Sequence, residues 1–146
     1  MPTVIVVDDH AVIRRGVRGI LHDFPEWVLC GEAQNGNEAV KLAENVKPEI
    51  IIMDVSMPGL NGLEATRIIH GRLPDTKILL LTLHSSTELV RSAFRAGARG
   101  YVLKSDAEHD LIRALNVLAG DGTYVSPAID QKLAQKAIVE ESRIPS

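Results

Sequence analysis

This chain has one cysteine, Cys30, so no disulfide can close within it, which suits a reducing compartment. Cys30 lies in an apolar stretch, residues 27–33, that reads as a strand, and inert packing in the core is its expected role. No segment approaches the roughly 20 apolar residues that span a bilayer. The N-terminus lacks a basic region, and its apolar run breaks at Asp8, so a secretory signal is not expected. The expectation is a cytoplasmic protein without membrane contact. Lys and Arg are scattered and the formal net charge is −3, so no DNA-binding surface is expected within these residues. Repeats and low-complexity tracts are missing too; the prolines and glycines act as punctuation.

What is present is an ordinary globular composition: 146 residues, 45% hydrophobic, enough for one full core and a short appendage. Four short apolar runs each end on a residue able to do chemistry. Residues 3–7 run into Asp8 and Asp9, 50–53 into Asp54, 78–81 into Thr82, and 101–103 into Lys104. Their length and branched side chains read as buried parallel strands. Helical patterns fill the intervals. The first spans from Ala11 to a stop at Phe24-Pro25, the second opens at Gly36 and runs through Asn45, and the third covers about Leu63 to His70. The fourth is capped by 85–88, runs through Ala96 and is stopped by Gly97; the fifth runs from about Asp106 to Ala119.

Five βα units in a row predict an α/β fold, a parallel sheet with helices on both faces. In such open sheets ligands bind at the edge where the strands end. The globular domain is expected over residues 1–120. Gly120-Asp121-Gly122 breaks the pattern, and 121–146 is expected as a linker, with a polar helical tail from about Ala128 to Glu141 that either docks loosely or belongs to the linker.

The strand ends gather three carboxylates, a hydroxyl and an amine in one crevice. Three carboxylates together repel one another unless a proton or a cation intervenes. Mg²⁺ suits them, being hard, oxygen-seeking and content to keep several waters; Mn²⁺ is the alternative. Asp8, Asp9 and Asp54 would supply side-chain oxygens and Ser56 a backbone carbonyl. Asp54 stands alone at the end of a central strand, so it is the candidate nucleophile for phosphoryl transfer, with Lys104 and Thr82 meeting the phosphoryl oxygens. The plain alternative, that each Asp merely caps the next helix, does not call for Lys104 and Thr82.

These residues, in this order, resemble the receiver domain of two-component response regulators over residues 3 to about 120. The motifs are Val7-Asp8-Asp9-His10, the stretch 53–62 around Asp54, Leu81-Thr82, and 97–104 ending in Lys104. The resemblance implies strand order 2-1-3-4-5 in a flavodoxin-like doubly wound sheet. It implies Asp54 as phosphoacceptor from a sensor histidine kinase or a small phosphodonor, and Tyr101 as the aromatic switch residue, against the plainer reading of an edge-strand core aromatic. It implies no enzyme beyond the domain's own phosphorylation and dephosphorylation. Ser56 and His84, two residues after Asp54 and Thr82, would tune the lifetime of the phosphoryl group; a solvated loop histidine is the alternative for His84. His10 either contacts the acidic pocket or caps the first helix.

Two departures narrow the branch. Ser105 replaces the proline that usually follows the lysine, so a trans Lys104–Ser105 bond and a different loop are expected, since a cis bond there costs about 2.5–4 kcal/mol. Leu83 follows Thr82, where it could crowd the inward path of Thr82. With the closing stretch 122–129, these features resemble the NarL/FixJ branch, whose members carry a C-terminal LuxR-type helix-turn-helix. The chain stops at Pro145-Ser146, about where the linker to such a domain would run, so a fragment, or a regulator that lost its output domain, is expected. DNA contact through that domain, control of transcription and homodimerisation on phosphorylation belong to the same expectation. The switch surface is expected between about Ser86 and Leu118, with Tyr101 turning from exposed to buried as Thr82 moves in. Rivals fare worse. A haloacid-dehalogenase-type phosphatase wants Asp-x-Asp after the first strand, and a nucleotide- or flavin-binding module wants a Gly- or Ser-rich loop where Asp8-Asp9 would repel phosphate. A pseudo-receiver scaffold would not need the complete set.

Overall fold

The computed structural model describes residues 2–130. The order is β1 (Thr3–Val7), α1 (Ala11–His22), β2 (Val28–Ala33), α2 (Gly36–Val46), β3 (Ile50–Met53), α3 (Gly62–Arg72), β4 (Lys77–Thr82), α4 (Thr87–Ala96), β5 (Gly100–Leu103), α5 (Ala107–Ala119) and β6 (Tyr124–Val125). A single 3₁₀ turn, Lys104–Asp106, joins β5 to α5. Among the described residues no helix is long and apolar enough to cross a membrane.

The strands form one parallel sheet in the order β2-β1-β3-β4-β5-β6. The five expected strands keep their expected order, and the difference is the short β6 beyond β5. Side chains alternate between two cores, as the period of a strand requires. Ile5, Val7, Ile51, Met53, Ile78, Leu80 and Tyr101 face one core with α2, α3 and α4. Val4, Val6, Ile50, Ile52, Leu79, Leu81 and Val102 face the other with α1 and α5.

Local chemistry explains the helix ends. Asn35, Asn61 and Ser86 each accept a backbone N–H three residues on, the usual satisfaction of a free helix donor. Gly97 closes α4 at φ 112°, a left-handed conformation that glycine adopts without strain.

Three expectations change. Cys30 is exposed: β2 is an edge strand, its register slips between Val4 and Ile5, and Cys30 is the extra residue at that slip. Its thiol donates to the Val4 carbonyl at 3.4 Å. Leu83 points outward, 76% exposed, and does not obstruct Thr82. The chain beyond residue 120 stays on the body: β6 pairs with β5, and Ile129 is fully buried. A helical turn covers 127–130; the rest of the expected tail helix lies outside the described residues. The Lys104–Ser105 bond is trans, as no cis peptide occurs among the described residues.

Candidate functional site

Parallel pairing brings the strand ends level. Asp8 N donates to Ala33 O at 3.1 Å and Asp54 N to Val7 O at 2.9 Å, so both aspartates extend the sheet ladder by one residue. The next turn then points their carboxylates along the sheet edge. Asp8, Asp9, His10 and Asp54 place ligand-capable atoms within 4.8 Å of one another. Asp8 and Asp54 are buried, and Asp9 is exposed at the rim.

Lys104 reaches this group from the end of β5. Its Nζ lies 2.9 Å from Asp8 Oδ2 and 3.4 Å from Asp54 Oδ1, and its side chain is nearly enclosed. Burial pushes the Asp54 carboxyl above its ordinary value, and the Asp8 charge adds to that. Lys104 and the Ser56 amide, 3.4 Å from Asp54 Oδ1, pull it back.

His10 Nδ1 lies 3.1 Å from both Asp8 Oδ1 and Asp9 Oδ1. Its side chain makes no capping hydrogen bond to α1, so of its two expected roles the structure has the pocket contact. The β3–α3 loop is held closed by Gly62, where a Cβ would lie 2.0 Å from the Asp54 carbonyl oxygen. Gly62 N donates to Val55 O at 2.9 Å.

Thr82, Ser56, His84 and Tyr101 form a second layer. Ser56 Oγ and His84 Nε2 are hydrogen-bonded at 3.0 Å, bridging the loops after β3 and β4. His84 N donates to Thr82 Oγ1 at 3.2 Å, and the Tyr101 hydroxyl donates to His84 O at 2.7 Å. Tyr101 is fully buried, in contrast to the exposed starting position expected of it. Burial pushes its hydroxyl pKa up to about 12, with the Thr82 side chain opposing.

Every residue singled out from the sequence therefore sits in or beside one crevice. Sequence reasoning missed Arg14, whose guanidinium donates to Asp8 O at 2.7 Å and pairs with Glu32 at 3.3 Å. The signal was its place one turn after His10 on α1. It also missed the need for glycine at position 62.

The pattern described as the response regulator receiver domain matches residues 4–116. The transcriptional regulatory protein DegU of Brevibacillus brevis is 38% identical over 133 residues, 91% of this chain and 56% of that protein. The response regulator UvrY of Escherichia coli K12 is 38% identical over 141 residues, 97% of this chain and 65% of that protein. The chain thus spans less than two thirds of these relatives. The crystal structure of a LuxR-family two-component response regulator from Aurantimonas sp. SI85-9A1 superposes with a TM-score of 0.90 at 34% identity, covering 93% of this chain and 97% of that one. Sheet order, acidic crevice and these likenesses agree: the chain belongs to the receiver domain family of two-component response regulators, in its NarL/FixJ branch.

Proposed function

We propose that Asp54 accepts a phosphoryl group, from a sensor histidine kinase or a small acyl phosphate. The observation that carries this reading is the buried Lys104 ammonium set between Asp8 and Asp54 at the end of β5. An Asp54 oxygen forms a bond to phosphorus while the bond from phosphorus to the donor breaks, and the leaving group keeps that electron pair. Lys104 counters charge on the transferring oxygens from one side. The Thr82 hydroxyl, one hydrogen bond from the loop at His84, is placed to donate to the same group.

The donor set fits a hard divalent cation, because three carboxylates converge and one lysine leaves net negative charge. Asp8, Asp9, Asp54 and the Ser56 carbonyl would hold Mg²⁺ or Mn²⁺. When bound, the ion supplies charge neutralisation for the phosphoryl oxygens. Hydrolysis returns the Asp54 carboxylate, and Ser56 and His84 flank that line, which supports them as residues that tune its rate. His84→Ala is expected to change the dephosphorylation rate without abolishing phosphorylation; an unchanged rate refutes this role.

Phosphorylation then draws Thr82 inward and favours buried Tyr101, altering the surface from about Ser86 to Leu118. The regulatory unit is the first 120 residues, and 121–146 leads toward an output. In a full-length protein that output is transcription through a LuxR-type helix-turn-helix, with homodimerisation on phosphorylation and a cytoplasmic location. The deciding experiment is incubation with acetyl phosphate and Mg²⁺, read by intact mass. A gain of one phosphoryl group that disappears in Asp54→Ala supports the reading. Sustained turnover of phosphate esters, or a gain that survives Asp54→Ala, overturns it.

A further inference from the structure

The residues after α5 do more than leave the body. Tyr124 N donates to Arg99 O at 3.0 Å and Ser126 N to Tyr101 O at 2.9 Å. In return Leu103 N donates to Ser126 Oγ at 3.0 Å. All three contacts fall on β5 or the residue before it, and the last is one residue from Lys104. Ser126 and Ile129 are fully buried. Ile129 belongs to the same apolar cluster as Val90, Ala93 and Tyr101. Both Ile129 N and Asp130 N bond to Ser126 O, so the helical turn 127–130 opens on the residue that holds Leu103. Serine followed by proline at the first helical position favours that start. Behind it, the Lys77–Asp121 pair at 2.9 Å fastens the turn that precedes β6.

We propose that residues 124–130 are a strap whose seating on β5 is coupled to the inward position of Tyr101, so that a change at the Asp54 crevice reaches the helical turn at Pro127. The trigger rests on the reading of Asp54 as phosphoacceptor; the coupling itself rests on the contacts of β5. The Tyr101 ring is pinned inward by its hydroxyl bond to His84 O, while the Tyr101 carbonyl carries Ser126. Turning that ring outward would remove a large side chain from the cluster that receives Ile129, and a cavity left in a packed core is costly. It would also loosen the β5 backbone that holds Ser126. Coupling of this kind is reciprocal, so a seated strap equally favours the buried ring.

Amide hydrogen exchange on the whole chain, followed residue by residue, tests this. With acetyl phosphate and Mg²⁺, exchange at Leu103 and Ser126 is expected to slow by about fivefold or more, the lower end of usual coupling strengths, with intact mass recording the phosphoryl gain separately. Without any phosphodonor, Tyr101→Phe is expected to speed exchange at the same two amides by about fivefold, leaving Leu115 in α5 at its wild-type rate. Ser126→Ala is expected to move the Tyr101 ring resonances toward those of an exposed tyrosine. A phosphoryl gain with exchange at 124–130 unchanged or faster overturns the proposal. So do wild-type rates at Leu103 and Ser126 in Tyr101→Phe. A missing mass gain counts against the reading of Asp54, and the Tyr101→Phe comparison then decides the coupling alone.

Discussion

Each end of the sheet sets a lysine against an aspartate at 2.9 Å, and the two pairs differ in almost everything except that distance. At the crevice the Lys104 and Asp8 side chains are 8% and 2% exposed. At the opposite edge Lys77 is 19% exposed and Asp121 is 86% exposed. The neighbouring carboxyls respond in opposite senses. Asp54, third member of the crevice group, is pushed up by burial. Asp121 is pulled down by the Lys77 ammonium, with desolvation a lesser effect. The contrast teaches that separation alone does not decide what a charge pair does. Where water is excluded, the cost of desolvating charge outweighs the lysine; where water is present, the lysine wins, and the pair stabilises little.

The largest test removes the crevice lysine. Lys104→Ala leaves Asp8 and Asp54 buried without their cation and is expected to cost about 3–5 kcal/mol in chemical denaturation at neutral pH without divalent ions. Mg²⁺ is expected to restore part of it. A loss below about 1 kcal/mol, the level of a solvated surface pair, would erase the contrast between the two ends.

Next comes the loop that shapes the crevice. Gly62→Ala forces a Cβ against the Asp54 carbonyl and is expected to cost about 1–3 kcal/mol by overpacking. An unchanged melting temperature would mean that the loop gives way and Asp54 is less firmly set than its burial implies.

A smaller effect depends on pH. The folded Asp54 binds its proton more tightly than the unfolded chain does, so its contribution to stability is full below the ordinary carboxyl value. That contribution is lost as pH rises through the raised folded value. Asp54→Asn is therefore expected to melt higher than the parent at pH 7, with the gain shrinking toward acid. Parallel melts across that range decide it, and a gain that grows toward acid contradicts burial as the dominant cause. The smallest effect is expected at the far edge, where Asp121→Asn should leave the melting temperature within experimental scatter.

Much of this was legible in the residues. The apolar runs at 3–7, 50–53 and 78–81 are too short and too branched for anything but buried strands, and the helix starts at Asn61 and Ser86 follow from side chains that accept a nearby N–H. Asp8, Asp9, Asp54, Thr82 and Lys104 were recognisable because each stands at the end of such a run. Cys30 was misread because an apolar neighbourhood says nothing about which strand lies at an edge or where its register slips. Tyr124-Val125 is too short a run to announce a strand; its pairing exists because β5 offers a free edge.

By itself the sequence determined which groups would meet. Alternation of short strands and helices obliges a parallel sheet, and a parallel sheet brings its strand ends to one edge. Only the tertiary structure decided how those groups behave there. Burial of Asp54, enclosure of Lys104, the inward seat of Tyr101 and the return of Ser126 to Leu103 join residues far apart in the chain. Such contacts depend on strand order, register and the packing of helices over the sheet, none of which a local run of side chains encodes.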